Sequence, residues 1–318
     1  MTDWFSIAGG LVLLTIGAEI LIRGSTALAR QLGVSELLIG LTLVGFGTST
    51  PELVSSVQAA IIGSPGVAVG NIVGSNIANI LLILGLSAAI APIAVDQRAI
   101  RRDGFVCVAA ALAAIAVSMT GEFTRLAGFA FLAAIVAYVL FAYVNERRQP
   151  DSPLAEQHVA EAAKVQGPKG IVLDLALAAG GLALLVFGAK LLVTGSINIA
   201  ADLGVSETVI GLTVVAVGTS LPELVTSIMA AARGKSALAI GNVVGSNIYN
   251  IFGILGVTAA IHPVAAPVEI IRFDNWVMLG ATLLMLYFAM SKGRLSRSEG
   301  AMMVLGYALY ISWLVAKS

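Results

Sequence analysis

Charge is what this 318-residue chain has least of: 11% of its residues are Asp, Glu, Lys or Arg, against roughly 25% in a soluble globular domain. Eighteen basic residues balance eighteen acidic ones. That balance excludes a basic nucleic-acid binder, and the low charge excludes a soluble enzyme or a disordered chain. Cysteine occurs once, at Cys107, and histidine twice. One thiol forms no intrachain disulfide, and there is no Cys/His cluster for a zinc or iron–sulfur site. No HExxH or GxSxG arrangement occurs, so no enzyme signature is present. What is there is apolar: 58% of the residues are hydrophobic and the mean hydropathy is +0.97. The chain reads as a polytopic membrane protein. Its spans must be helices, because lipid offers backbone N–H and C=O groups no other partner, and the period-two alternation of a closed β-barrel is missing.

A helix needs about 20 apolar residues to cross ~30 Å of hydrocarbon. Ten such runs occur, near 6–28, 37–62, 67–91, 104–119, 126–144, 171–194, 208–232, 238–261, 274–290 and 301–316. The expected fold is all-α, with ten transmembrane helices. The largest polar interruption, residues 145–170, contains NERRQPDSP, EQHVAEAAK and GPKG. It reads as a solvated, partly helical linker between residues 1–144 and 171–318, too short to be a folded domain. Of the 18 Lys and Arg residues, 14, from Arg23 to Arg297, follow odd-numbered runs. Arg125, Arg272 and Lys317 follow even-numbered ones, and Lys190 sits inside the sixth. The positive-inside rule makes the first side cytoplasmic, so both termini are expected on the extracytoplasmic side of the cell inner membrane. Residues Met1–Phe5 carry no Lys or Arg, which argues against a cleaved signal peptide.

Shifted by 171 residues, the sequence matches itself without a gap: residues 8–93 against 179–264 give 50 identities in 86 positions. AGGLVLLTIGAEILIRGS pairs with AGGLALLVFGAKLLVTGS, GLTLVGFGTSTPELVSS with GLTVVAVGTSLPELVTS, and GNIVGSNIANILLILG with GNVVGSNIYNIFGILG. The unit holds five apolar runs, an odd number, so the second copy must cross the bilayer in the opposite sense. This is the inverted-repeat organisation of secondary transporters, whose sites lie near the midplane between the two units.

Two ionisable groups lie deep in apolar runs, and they are repeat mates: Glu52 and Glu223. A charge at the bilayer centre costs ~2.5–3.5 kcal/mol on insertion scales, so such residues face a polar interior and take a partner. Lys190 does not serve both, since its repeat mate is Glu19; it is expected near a helix end. The natural partner is a bound cation. Pro51 and Pro222 lack an N–H and clash with the carbonyl one turn back, which predicts a break that frees oxygens near Gly45–Thr48 and Ala216–Thr219. Asn71, Ser75 and Asn79 at spacing four form a polar stripe, repeated as Asn242, Ser246 and Asn250. Asn76 and Asn247 lie about 100° off it and read as interhelical hydrogen bonders. This oxygen-only inventory suits hard cations, Na⁺, Ca²⁺ or Mn²⁺, while strictly octahedral Mg²⁺ fits less well.

The paired GTSxPE and GSNIxN motifs resemble the two α-repeats of the Ca²⁺/cation antiporter superfamily, and most nearly its prokaryotic sodium/calcium exchangers. The resemblance implies ten helices in two inverted halves and exchange of Na⁺ for Ca²⁺ by alternating access. It implies Glu52 and Glu223 as Ca²⁺ ligands, completed by the Thr48 and Thr219 carbonyls. For Na⁺ it implies the same glutamates with Ser49, Ser75, Ser220 and Ser246 and the carbonyls of Gly45 and Ala216. Asn79 and Asn250 would line the polar centre; the family often carries Asp at one of these two positions, and this chain has Asn at both. Protons in place of Na⁺, giving a Ca²⁺/H⁺ antiporter, and a cation channel are the alternative readings. No cofactor, nucleic acid or obligate protein partner is expected beyond Na⁺, Ca²⁺ and the lipid bilayer.

Overall fold

A computed structural model of the chain describes residues 2–34, 39, 42–43, 46–148, 153–165 and 170–317. Two long helices, α1 (Thr2–Gln31) and α7 (Ile171–Leu203), are repeat mates and run antiparallel along each other. Glycines every seven residues set the seam. A Cβ on Gly10, Gly17 or Gly24 would meet α7 backbone at 2.6–2.9 Å, at Gly188, Gly181 and Asp174 or Ala178 respectively. Small residues let membrane helices approach this closely when lipid removes the hydrophobic drive between them. Polar clamps close both ends: Asn198 donates to Asp3, and Gln31 to the buried Asp174. Lys190 lies well inside α7 and is exposed, not near a helix end. The helix continues past it to Leu203 and stops only where Gly204 takes a left-handed conformation, φ 68°.

The centre of the molecule is α3 (Pro65–Ile90) and its mate α10 (Ser236–Ile261); 94% of the most apolar window of α3 is buried, against 22% for α7. That burial keeps the polar stripe of Asn71, Ser75 and Asn79 away from lipid. Both widen into a π-helical stretch at the same place in the repeat, Ala78–Leu84 and Tyr249–Leu255. Short helices flank them: α2 (Thr50–Ile61), and α8 (Glu207–Thr219) followed by α9 (Leu221–Ala232), the last two bent by 50° at Ser220.

The remaining helices are α4 (Gln97–Ser118), α5 (Arg125–Arg148), α6 (Pro153–Lys164), α11 (Ile270–Ser291) and α12 (Arg297–Lys317). Helix α6 lies in the linker, where His158 Nδ1 is 2.9 Å from Glu146 Oε2 and Arg30 donates to the carbonyls of Ala162 and Val165. Two-residue antiparallel ladders tie distant segments together. Ile93 and Ala94 (β1) pair with Leu295 and Arg294 (β4); Glu122 and Phe123 (β2) pair with Ala265 and Val264 (β3).

Among the described residues, seven helices are long and apolar enough to cross a membrane, and eight if α8 and α9 count as one bent span. This is a multi-pass membrane protein. The fourth expected run corresponds to α4, whose first turns carry Arg98, Arg101, Arg102 and Asp103. The second, 37–62, falls partly outside the described residues, which leave α2.

Candidate cation-binding site

The site is built at two proline-started helix ends. Pro51 and Pro222 sit in the first turns of α2 and α9, where a missing N–H has no intrahelical partner to lose. Glu52 and Glu223 share those turns, where the helix dipole favours negative charge. Ser49 and Ser220 hold the N-cap positions with matching φ,ψ of −86°, 8° and −83°, 8°, yet neither hydroxyl caps its own helix. Each reaches across instead. Ser49 Oγ donates to Glu223 Oε1 at 2.7 Å, and Ser220 Oγ donates to Glu52 Oε1 at 2.9 Å.

The stripes on α3 and α10 support this crossing. Ser49 also bonds Ser246 at 3.2 Å, and Ser220 bonds Ser75 at 3.1 Å. Asn71 Nδ2 donates to the Glu52 carbonyl and to Ser56, and Asn242 Nδ2 donates to the Glu223 carbonyl and to Ser227. Thr219 Oγ1 donates to Asn71 Oδ1 at 3.0 Å. Asn79 Nδ2 donates to Asn247 Oδ1, and Asn247 Nδ2 to the Asn76 carbonyl. Asn247 is thus an interhelical hydrogen bonder, as expected, whereas the Asn76 side chain bonds its own helix, donating to the Ile72 carbonyl at 2.8 Å.

What the network leaves over is mostly oxygen. Glu52 Oε2, Glu223 Oε2 and Asn79 Oδ1 are buried without a hydrogen-bond partner, as are both side-chain polar atoms of Asn250. Thr48 Oγ1 lies toward the Glu223 carboxylate without a hydrogen bond of good geometry to it. Leaving one such atom unmade costs roughly 1–3 kcal/mol, more for a charged group. The two glutamates also feel each other's charge, and both are at most 1% exposed. Among the described residues no cluster of three or more His, Cys, Asp or Glu forms. Two carboxylate oxygens amid hydroxyls and amides make an oxygen donor set of the kind hard cations take.

Hydrogen bonds thus join Glu52, Glu223, Ser49, Ser75, Ser220, Ser246 and Ala216, while Asn79 bonds Asn247 and no bond links Asn250 to this network; two further expectations are adjusted. Gly45 lies outside the described residues. The second break falls at Ser220, beyond Ala216–Thr219, and the Ala216 carbonyl accepts from the Ser220 N–H at 3.1 Å and from Ser75 Oγ at 3.4 Å. Pro222 deprives only the carbonyl four residues before it, so the turn through Ala216 stays closed. Sequence reasoning had Asn71 and Asn242 on the stripe but missed that they brace the glutamate backbones. It also missed Tyr249, which stacks on Phe46 at 4.3 Å between ring centroids and lies within the field of Glu52. Tyr249 has no signal in the repeat, because its mate is Ala78.

The chain can now be set beside known proteins. It is 38% identical over 305 residues to the putative antiporter CaxA of Alkalimonas amylolytica, with 95% of each chain covered. It is 34% identical over 335 residues to the sodium/calcium exchanger MaX1 of Methanosarcina acetivorans, again with 95% of each covered. Among solved structures it matches the sodium-calcium exchanger NCX_Mj soaked with 2.5 mM Na⁺ and 0.1 mM Ca²⁺, at a TM-score of 0.63 and 32% identity over 98% of both chains. The family model described as sodium/calcium exchanger protein matches residues 2–144 and 173–316. The chain belongs to the sodium/calcium exchanger family.

Proposed function

We propose that this protein is a secondary-active antiporter that exchanges Na⁺ for Ca²⁺ across the membrane by alternating access. One observation carries the reading: two buried carboxylates, each held at one oxygen by the serine of the other copy of the repeat, each with its second oxygen unpartnered. The family, and relatives named as sodium/calcium exchangers, support it. Ca²⁺ would be held by Glu52 and Glu223 with the Thr48 and Thr219 carbonyls. Na⁺ would use the same glutamates with Ser49, Ser75, Ser220, Ser246 and the Gly45 and Ala216 carbonyls, and Asn79 and Asn250 would line the centre between them. Because the glutamates are shared, the two cargoes exclude each other. One Ca²⁺ neutralises the pair, and so do two Na⁺; a third Na⁺ would make the loaded site +1 and the exchange electrogenic.

The architecture that goes with this function is ten spans in two inverted halves, 1–144 and 171–318, joined by a cytoplasmic linker at 145–170, with both termini outside the cytoplasm. The seam-locked pair α1–α7 would be the element that moves against the rest. Side chains of α1 already touch both glycines ahead of the prolines: an added Cβ would meet Ile22 at Gly47 and Leu11 at Gly218.

The test is ion-swap flux in proteoliposomes. An outward Na⁺ gradient at clamped pH should drive Ca²⁺ uptake. Uptake driven only by a pH gradient would overturn the choice of counter-ion, and current without countertransport would overturn antiport.

A further inference from the structure

A cavity of about 680 Å³ runs along α1 to Thr48, and its polar lining includes Thr15, Glu19, Arg23, Thr48 and Thr226. Thr15, Glu19 and Arg23 are spaced by four, so they form one stripe on α1. The stripe begins one turn beyond Leu11, which packs at Gly218 beside the site. It leads toward the end of α1 where Arg30 bonds the α6 carbonyls. Glu19 shares this cavity with Thr48, at the level where Ile22 packs at Gly47, and Arg23 lies one turn nearer the α6 end.

The Glu19–Arg23 pair is made to be exchanged. Arg23 reaches Glu19 Oε1 through Nη2 at 2.7 Å and Nε at 2.8 Å, with the Arg23 and Glu19 side chains 57% and 60% exposed. A charged residue within an apolar helix marks a water-filled ion path, and a solvated pair spaced by four is held weakly there. The other copy of the repeat breaks the pattern. Thr15, Glu19 and Arg23 become Val186, Lys190 and Thr194, all exposed on α7. The glycine seam sets Glu19 near the level of Gly181 and Lys190 near that of Gly10. They therefore stand on opposite halves of the helix pair, the acidic position toward α6 and the basic one away from it.

We infer that Glu19 is the cation-admitting residue on the α6-facing side of the protein, covered by Arg23 until a cation displaces the guanidinium, and that Lys190 leaves the opposite side without an equivalent. The inference rests on the antiport reading above and deepens it. The two faces then load Ca²⁺ with different apparent affinity.

The experiment uses the full chain in proteoliposomes whose orientation is scored by protease cleavage at Arg147 and Arg148 in the linker. Ca²⁺ half-saturation is measured separately from each face. Glu19→Gln should raise it about three- to tenfold on the α6 face, as loss of a screened unit charge near a divalent path predicts, and the rise should shrink at high ionic strength. Arg23→Gln should lower it on the same face. Glu19→Asp should stay near the unaltered protein, and the maximal rate should hold in all three. Equal shifts on both faces, shifts of one sign for Glu19→Gln and Arg23→Gln, or no shift would overturn the inference while leaving antiport standing. An unaltered protein without Na⁺-driven Ca²⁺ flux would overturn the antiport reading itself, and this one with it.

Discussion

At the scale of the residue, the site depends on a crossing that spacing alone does not reveal. Ser49 lies three residues before Glu52 and would ordinarily cap its own helix, yet its hydroxyl goes to Glu223. The glutamates, serines and stripe asparagines were legible because each occurs twice at the same register, which chance does not arrange. The crossing was not, because it depends on two helix starts facing each other in space. Loss of either carboxylate removes half the site's charge, so Glu52→Gln and Glu223→Gln should each abolish coupled Ca²⁺ flux while the protein still inserts. Near-normal exchange in either would contradict the assignment. Hydrogen bonds to charged groups are worth about 1.5–3 kcal/mol, so Ser49→Ala or Ser220→Ala should raise the Ca²⁺ half-saturation by roughly ten- to a hundredfold. The reciprocal partnership has its own signature. Measured as thermal stabilisation by Ca²⁺, Ser49→Ala should be strongly non-additive with Glu223→Gln and close to additive with Glu52→Gln.

At the scale of the element, the heptad of glycines is the feature to test. Gly17 faces the Gly181 carbonyl, and an added Cβ would lie 2.9 Å from it. Backbone cannot give way as a flexible side chain can, and overpacking of a tight contact costs about 1–3 kcal/mol. Gly17→Val should lower the unfolding temperature in detergent and cut exchange, whereas Gly9→Ala, with nothing within 4 Å of the new Cβ, should do neither. Equal effects would deny the seam its role. The repeat made α1 and α7 equivalent on paper, and hydropathy located them. Neither disclosed that they pack on each other, because a glycine in an apolar run carries no label for its partner. The β-ladders were hidden for a simpler reason: two residues hold no readable alternation. Helix α4 was legible as an apolar run, but its charged first turns set it apart from the seven helices long and apolar enough to span.

At the scale of the whole molecule, the proposed site would couple the fluxes through its electrostatics. Loaded with Ca²⁺, the glutamate pair would be neutral and could be moved past the bilayer centre. Empty and ionised, it would be two like charges, both at most 1% exposed, sharing a medium of low dielectric. Their repulsion and desolvation there far exceed thermal energy. The bare carrier should therefore stay where it is. Proteoliposomes preloaded with ⁴⁵Ca²⁺ and diluted into medium free of both Na⁺ and Ca²⁺ should retain their label, since no return ion is offered. Dilution into unlabelled Ca²⁺ should release it by self-exchange, and dilution into Na⁺ should release it by antiport. Rapid loss into the ion-free medium would mean that the site reorients empty, and the shared carboxylates would then not be what couples the two ions.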